Sequence, residues 1–185
     1  ELSKKVVNEK ADIGFAFDGD GDRIIVIDEN GNEIDGDKII ALFAKNFLNL
    51  NKLNKKTVVT TIMSNLGLEK FLKTKLGIKL IRKEVGDINV IQEMNKNNYS
   101  LGGEQSGHII LGQYMSTGDG ILAALKILEI LSDKNLKTSK LFNLYKQIPQ
   151  RKIDIKIDDI QIKKINEKKL KKINKEFNKV YSSLR

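Results

Sequence analysis

Apolar positions along the first 150 residues change period repeatedly between that of a strand and that of a helix. "IGFAF" and "RIIVID" read as two strands flanking an acidic loop, and "NGNEIDGD" reads as a turn leading into a helix start. Asp37 stands where an N-cap is expected for "KIIALFAKNFLNL". A strand "TVVTTIM", a helix "LGLEKFLKTKL", a strand "IKLIRKEV" and a helix "INVIQEMNKN" follow. Two short strands, "YSLGGE" and "SGHIIL", and a strongly amphipathic helix, "DGILAALKILEILSD", complete the series. Strands and helices taking turns predict an α/β fold, with helices packed on a mixed or mostly parallel sheet. The single proline, Pro149, stands where the pattern stops. Beyond it "RKIDIKIDD" alternates like an edge strand, so a boundary near Pro149 is expected.

The chain opens at Glu1 and ends at Arg185 inside a charged, helix-like run, and it reads as an internal piece of a longer protein. With 40% hydrophobic and 31% charged residues it has the composition of a globular domain, and no apolar run is long enough to span a bilayer. The absence of cysteine excludes disulfides and thiolate metal sites and fits a cytoplasmic origin. The net charge of +9 is unevenly placed. Residues 1–132 carry 17 Lys and Arg against 18 Asp and Glu, whereas residues 133–185 carry 16 against 6. In the tail, Ile165, Leu170, Ile173, Phe177 and Val180 are spaced as one buried stripe of a helix whose other faces are solvated lysine. No aromatic or arginine platform accompanies the lysines, so neither nucleic acid nor a membrane is expected as a partner.

Two constellations carry chemistry. "DGDGDR" places Asp18, Asp20 and Asp22 at alternate positions with Arg23 behind them. Three carboxylates so close raise one another's pKa unless a cation holds them. Short all-oxygen ligands suit Mg²⁺, with Ca²⁺ or Mn²⁺ as alternatives. An EF-hand would put its bidentate ligand at Glu29 but needs glycine where Arg23 stands, between helices and not strands. Arg23 fits either a phosphate clamp or an internal counter-ion. In "GGEQSGHI", flanking glycines present Glu104 and Ser106 from a loop between strands, and a carboxylate there can accept from two adjacent sugar hydroxyls. His108, the only histidine, fits equally a substrate-site role and a structural one. Asp119 in "TGDG" reads as the cap of the helix that follows, and Asp35 and Asp37 as turn and cap residues.

"ADIGFAFDGDGDRIIVID", "MSNLGLE", "VGD", "GGEQSGHIIL" and "TGDG" follow one another in the order and spacing of the α-D-phosphohexomutases, which residues 1 to about 150 resemble. The resemblance implies a four-domain enzyme of the branch that interconverts glucosamine 6-phosphate and glucosamine 1-phosphate. An active-site phosphoserine would act through a bisphosphorylated sugar. Asp18, Asp20 and Asp22 then match the Mg²⁺ loop, Arg23 the arginine behind it, and Glu104, Ser106 and His108 the substrate loop; Gln105 fits the glucosamine branch. The implied division is the end of domain II at residues 1–33, domain III at 34–148 and the start of domain IV at 149–185. The phosphoserine loop and the last phosphate loop are expected outside the chain, so residues 1–185 alone are expected not to turn over. The family's "VGDRYV" is "VGDINV" here, with Ile88 and Asn89 replacing an arginine and an aromatic. Other sugar branches, phosphoglucomutase or phosphomannomutase, and a non-catalytic metal- or carbohydrate-binding module remain alternatives.

Overall fold

The computed structural model describes residues 1–150, of which 1–149 make one compact unit. The strand expected after Pro149, the basic helix and the expected start of domain IV lie outside the described residues.

The first sheet is an antiparallel meander of β1 (Ile13–Phe17), β2 (Ile24–Asp28) and β3 (Glu33–Ile34), preceded by a short helix α1 (Leu2–Asn8). Phe17 pairs with Ile24 and Ile13 with Asp28, so the acidic stretch is the loop of a β-hairpin. The second sheet has the order β5 (Lys79–Lys83), β4 (Thr57–Thr61), β6 (Leu101–Gly103), β7 (Ile109–Leu111). β4 runs parallel to both β5 and β6, and β7 runs antiparallel to β6, which makes the sheet mixed. The helices are α2 (Gly36–Asn49), α3 (Leu66–Leu76), α4 (Asp87–Asn97), α5 (Gly120–Lys134) and the single turn α6 (Thr138–Leu141).

Alternation along the strands distributes the core to two faces. Val58, Leu101, Ile109 and Leu111 join the larger cluster with α2 and α3, while Val59 and Ile110 meet Val90 and Met94 of α4 on the other side. The result is a helix-sheet-helix sandwich. α2 is unusual among the helices because Ile39 to Ala44 are all buried, as is Phe47. A helix apolar on nearly all sides belongs in an interior, and its larger cluster also takes in Ile24, Val26 and Ile34 of the first sheet. Phe43, with no exposed surface, is at the centre of this arrangement, where truncation to alanine costs about 3–5 kcal/mol.

One cap differs from expectation. The N-cap of α2 is Asp35, which accepts from the Lys38 N–H at 3.0 Å. Asp37 lies inside the first turn and is completely buried. The periodicity located the apolar helix correctly, but the helix gains an extra half-turn because Asp35 has the extended backbone of a cap and a side chain that reaches the Lys38 N–H. The elements the pattern left out, α1, β3 and α6, are seven, two and four residues long, too short to establish a period.

Candidate active site

The acidic loop is shaped from within. Asp18 accepts the Arg23 backbone N–H at 3.1 Å and the Arg23 Nε at 2.6 Å, closing the loop on itself. Burial pushes the Asp18 carboxyl up, but the Arg23 amide and guanidinium outweigh it and hold Asp18 below the ordinary aspartate value. Asp22 goes the other way: burial, the hydrogen bond with Asp18 and the charges of Asp18 and Asp20 raise it against the pull of His108. One carboxylate oxygen from each of Asp18, Asp20 and Asp22 lies within 4.8 Å of the others. Asp22 Oδ1 is buried with no hydrogen-bond partner among the described residues.

A hard divalent cation fits this set. Oxygens bound to one cation at about 2.0–2.6 Å stand at such mutual separations, and the cation would relieve the like-charge repulsion and ligate the Asp22 oxygen that accepts no hydrogen bond among the described residues. Arg23 Nε sits on Asp18 and 3.6 Å from Asp22 Oδ1, the position of an internal counter-ion. Glu29, the would-be EF-hand ligand, points elsewhere and accepts from the Ser139 N–H and Oγ–H at 2.9 and 2.5 Å.

The second loop is a hairpin turn between β6 and β7. The Glu104 N–H donates to His108 O and the Gly107 N–H to Glu104 O, which turns the chain over four residues and leaves Ser106 exposed at the tip. The Glu104 side chain accepts from the Gly86 N–H at 3.2 Å, so the "VGD" turn before α4 fixes its orientation. In that turn Asn89 folds back onto the Glu84 and Val85 carbonyls, while Ile88 is 62% exposed.

Both loops meet in one place. The Ile24 N–H donates to Gly107 O at 3.1 Å, and Arg23 and His108 form an antiparallel bridge. The approach requires glycine: a Cβ on Gly107, at φ 95°, would stand 2.1 Å from Ile24 O. His108 is buried, and its Nδ1 is 3.0 Å from Asp22 Oδ2. The structure thus supplies the orienting acid that the sequence around His108 lacks, from 86 positions away. Behind the loop, the Gly120 N–H at the start of α5 donates to Gly21 O, and Asp119 caps that helix by accepting from the Leu122 N–H at 2.8 Å.

The family model described as phosphoglucomutase/phosphomannomutase, alpha/beta/alpha domain III, matches residues 35–148. The chain belongs to this family. Within the phosphoglucomutase/phosphomannomutase family it is similar to the phosphoglucosamine mutase of Lactobacillus gasseri, 44% identical over 184 residues that cover all of this chain and 40% of that protein. The phosphoglucosamine mutase of Zymomonas mobilis is 49% identical over 149 residues, 80% of this chain and 33% of that one. The chain therefore spans about 40% or less of the length of these relatives. Among solved structures, a phosphoglucomutase/phosphomannomutase family protein from Burkholderia thailandensis has a TM-score of 0.69 at 29% identity, covering 76% of this chain and 30% of that one. The Aspergillus fumigatus N-acetylphosphoglucosamine mutase, solved with GlcNAc-6P and magnesium, has a TM-score of 0.61 at 21% identity over 74% of this chain and 36% of that one, a likeness of fold.

Proposed function

We propose that this chain belongs to an enzyme interconverting glucosamine 6-phosphate and glucosamine 1-phosphate, a step toward UDP-N-acetylglucosamine and peptidoglycan precursors in the cytoplasm. The observation that carries this reading is the convergence of the acidic hairpin with the Glu104 loop through the Ile24–Gly107 and Arg23–His108 contacts. Asp18, Asp20 and Asp22 hold Mg²⁺ on this reading, and Glu104 and Ser106 hold the sugar hydroxyls. Bound Mg²⁺ supplies neutralisation of charge as a phosphoryl group passes.

The side chains divide the remaining work. Glu104, oriented by the Gly86 N–H, presents a free carboxylate edge to two adjacent hydroxyls. His108 holds Asp22 through Oδ2, which leaves Oδ1, an oxygen that accepts no hydrogen bond among the described residues, for the cation. Arg23, its side chain 55% exposed, pairs with Asp18 and can fork onto a phosphate that approaches the loop. On this reading the serine that carries phosphate is supplied from the part of the relatives' length that this chain does not span. Residues 1–185 by themselves then bind Mg²⁺ without turnover.

The test is turnover of glucosamine 6-phosphate, glucose 6-phosphate and mannose 6-phosphate by the full-length gene product, with Mg²⁺ and a trace of bisphosphorylated sugar. Preference for glucosamine 6-phosphate, abolished by Asp20→Asn, supports the reading. Preference for another sugar keeps the mechanism and moves the substrate, with Ile88 and Asn89 as the first positions to exchange. No turnover of any of the three leaves a metal- and carbohydrate-binding module.

A further inference from the structure

Asp37 takes no part in the chemistry above, yet it is a carboxylate with no exposed surface in the first turn of α2. Uncompensated burial of a charge is costly, so its partners have to be accounted for. Oδ2 accepts the Asn65 backbone N–H at 2.6 Å and lies 3.5 Å from Gln105 Nε2, the residue between Glu104 and Ser106. The neighbouring backbone adds a second link, since the Gly36 N–H donates to Gln105 O at 3.0 Å. Contact there is so close that a Cβ on Gly36 would fall 2.1 Å from Glu104 O and 2.8 Å from Gly107 N.

On the other side, Asn65 continues the chain of contacts. Its side chain caps α3 at the Gly67 N–H and clasps Ile148 from both directions, donating to its carbonyl at 2.7 Å and accepting its N–H at 3.0 Å. Gln147 donates to Asp35, the cap of α2. The Asp35–Gly36–Asp37 turn therefore touches the Glu104 loop at one end and, through Asn65, the segment 147–148 at the other.

We propose that Asp37 is a positioning residue that ties the Glu104–Ser106 loop, through Gln105, to the Asn65 clasp on Ile148, so that the two segments hold or loosen together. The proposal rests on the substrate role given to Glu104 and Ser106 above. Asp37 acts through Gln105 and touches no reacting atom. Energetic coupling of this kind is reciprocal, so a perturbation at either end is felt at the other.

The experiment is amide hydrogen exchange on the full-length protein, comparing wild type with Asp37→Asn and Gln105→Ala. The later turns of α5, residues 127–134, serve as internal control. In Asp37→Asn, exchange at residues 104–107 and at 148 rises together by about 10-fold, with the control unchanged. In Gln105→Ala, exchange at 148 rises although the mutated side chain does not touch it. KM for glucosamine 6-phosphate rises in both variants while kcat moves by less than about 3-fold. Unchanged exchange at 104–107 in Asp37→Asn, or at 148 in Gln105→Ala, overturns the proposal and leaves Asp37 as a prop for the α3 cap. If Asp37→Asn does not fold, Gln105→Ala decides alone. If the wild type converts no hexose phosphate, the reaction reading fails by itself and the exchange results still decide the coupling.

Discussion

Residues 18–20 and 35–37 carry the same tripeptide, Asp-Gly-Asp, and are put to opposite uses. In the first, the carboxylates converge with Asp22 at the tip of a hairpin, Gly19 and Asp20 are exposed, and nothing stands within 4 Å of a Cβ built on Gly19. In the second, Asp35 caps a helix, Asp37 is wholly buried, and Gly36 is wedged against the backbone of the Glu104 loop. One arrangement concentrates charge where a cation can reach it. The other spends its charge on the N–H groups of the protein itself. What separates them is the neighbour in space: open solvent above one, an apolar helix and two loops around the other.

Four measurements sharpen or break that contrast. The largest effect is expected from Asp20→Asn, which leaves folding unchanged because the side chain is exposed and lowers turnover of glucosamine 6-phosphate by the full-length protein about 1,000-fold. A variant with near wild-type turnover would remove the acidic loop from the mechanism.

Next comes pH. Burial raises Asp37 to about 6, with Asp35 adding to the rise, while the Asn65 N–H, Ser64 and Arg82 work against it. Tyr145, itself pushed up by burial and by these two carboxylates, is the further titratable group affected by Asp37. The folded state thus binds a proton that the unfolded chain has released between about pH 4 and 6. Stability from this group is present at low pH and is lost as pH rises through that window. The loss is on the order of 3 kcal/mol. Urea unfolding at pH 4 and pH 7 should show wild type losing roughly this much relative to Asp37→Asn. Parallel pH profiles would mean that Asp37 is not buried as a carboxylate.

The glycines provide the two smaller tests. Gly36→Ala forces a methyl into the Glu104 carbonyl and should cost about 1–3 kcal/mol in thermal or urea unfolding. Gly19→Ala, with open space around it, should stay within about 0.5 kcal/mol. Equal costs at the two positions would erase the distinction between the two turns.

Much of this was legible in the residues. The period of "LGLEKFLKTKL" coincides with α3 (Leu66–Leu76), because a helix held by its apolar stripe shows that stripe in sequence. "IGFAF" coincides with β1 (Ile13–Phe17), where Ile13 and Phe15, two positions apart, pack against the larger core. The carboxylate cluster at Asp18, Asp20 and Asp22 was readable because its members are local and like charges seldom crowd without cause. The pairing of His108 with Asp22, the Gly86 N–H on Glu104 and the clasp of Asn65 on Ile148 were not. They join residues 86, 18 and 83 positions apart, and no spacing rule reaches that far.

The sequence by itself determined the alternation of strands and helices and which six-residue stretch gathers three carboxylates, since periodicity and charge crowding are properties of neighbours along the chain. Only the tertiary structure decided which Asp-Gly-Asp faces solvent and which is buried, which acid orients His108, and that the two loops share one site. Those outcomes depend on which backbone groups and apolar faces the packed sheets bring alongside each carboxylate, and burial and hydrogen-bond supply are properties of neighbours in space.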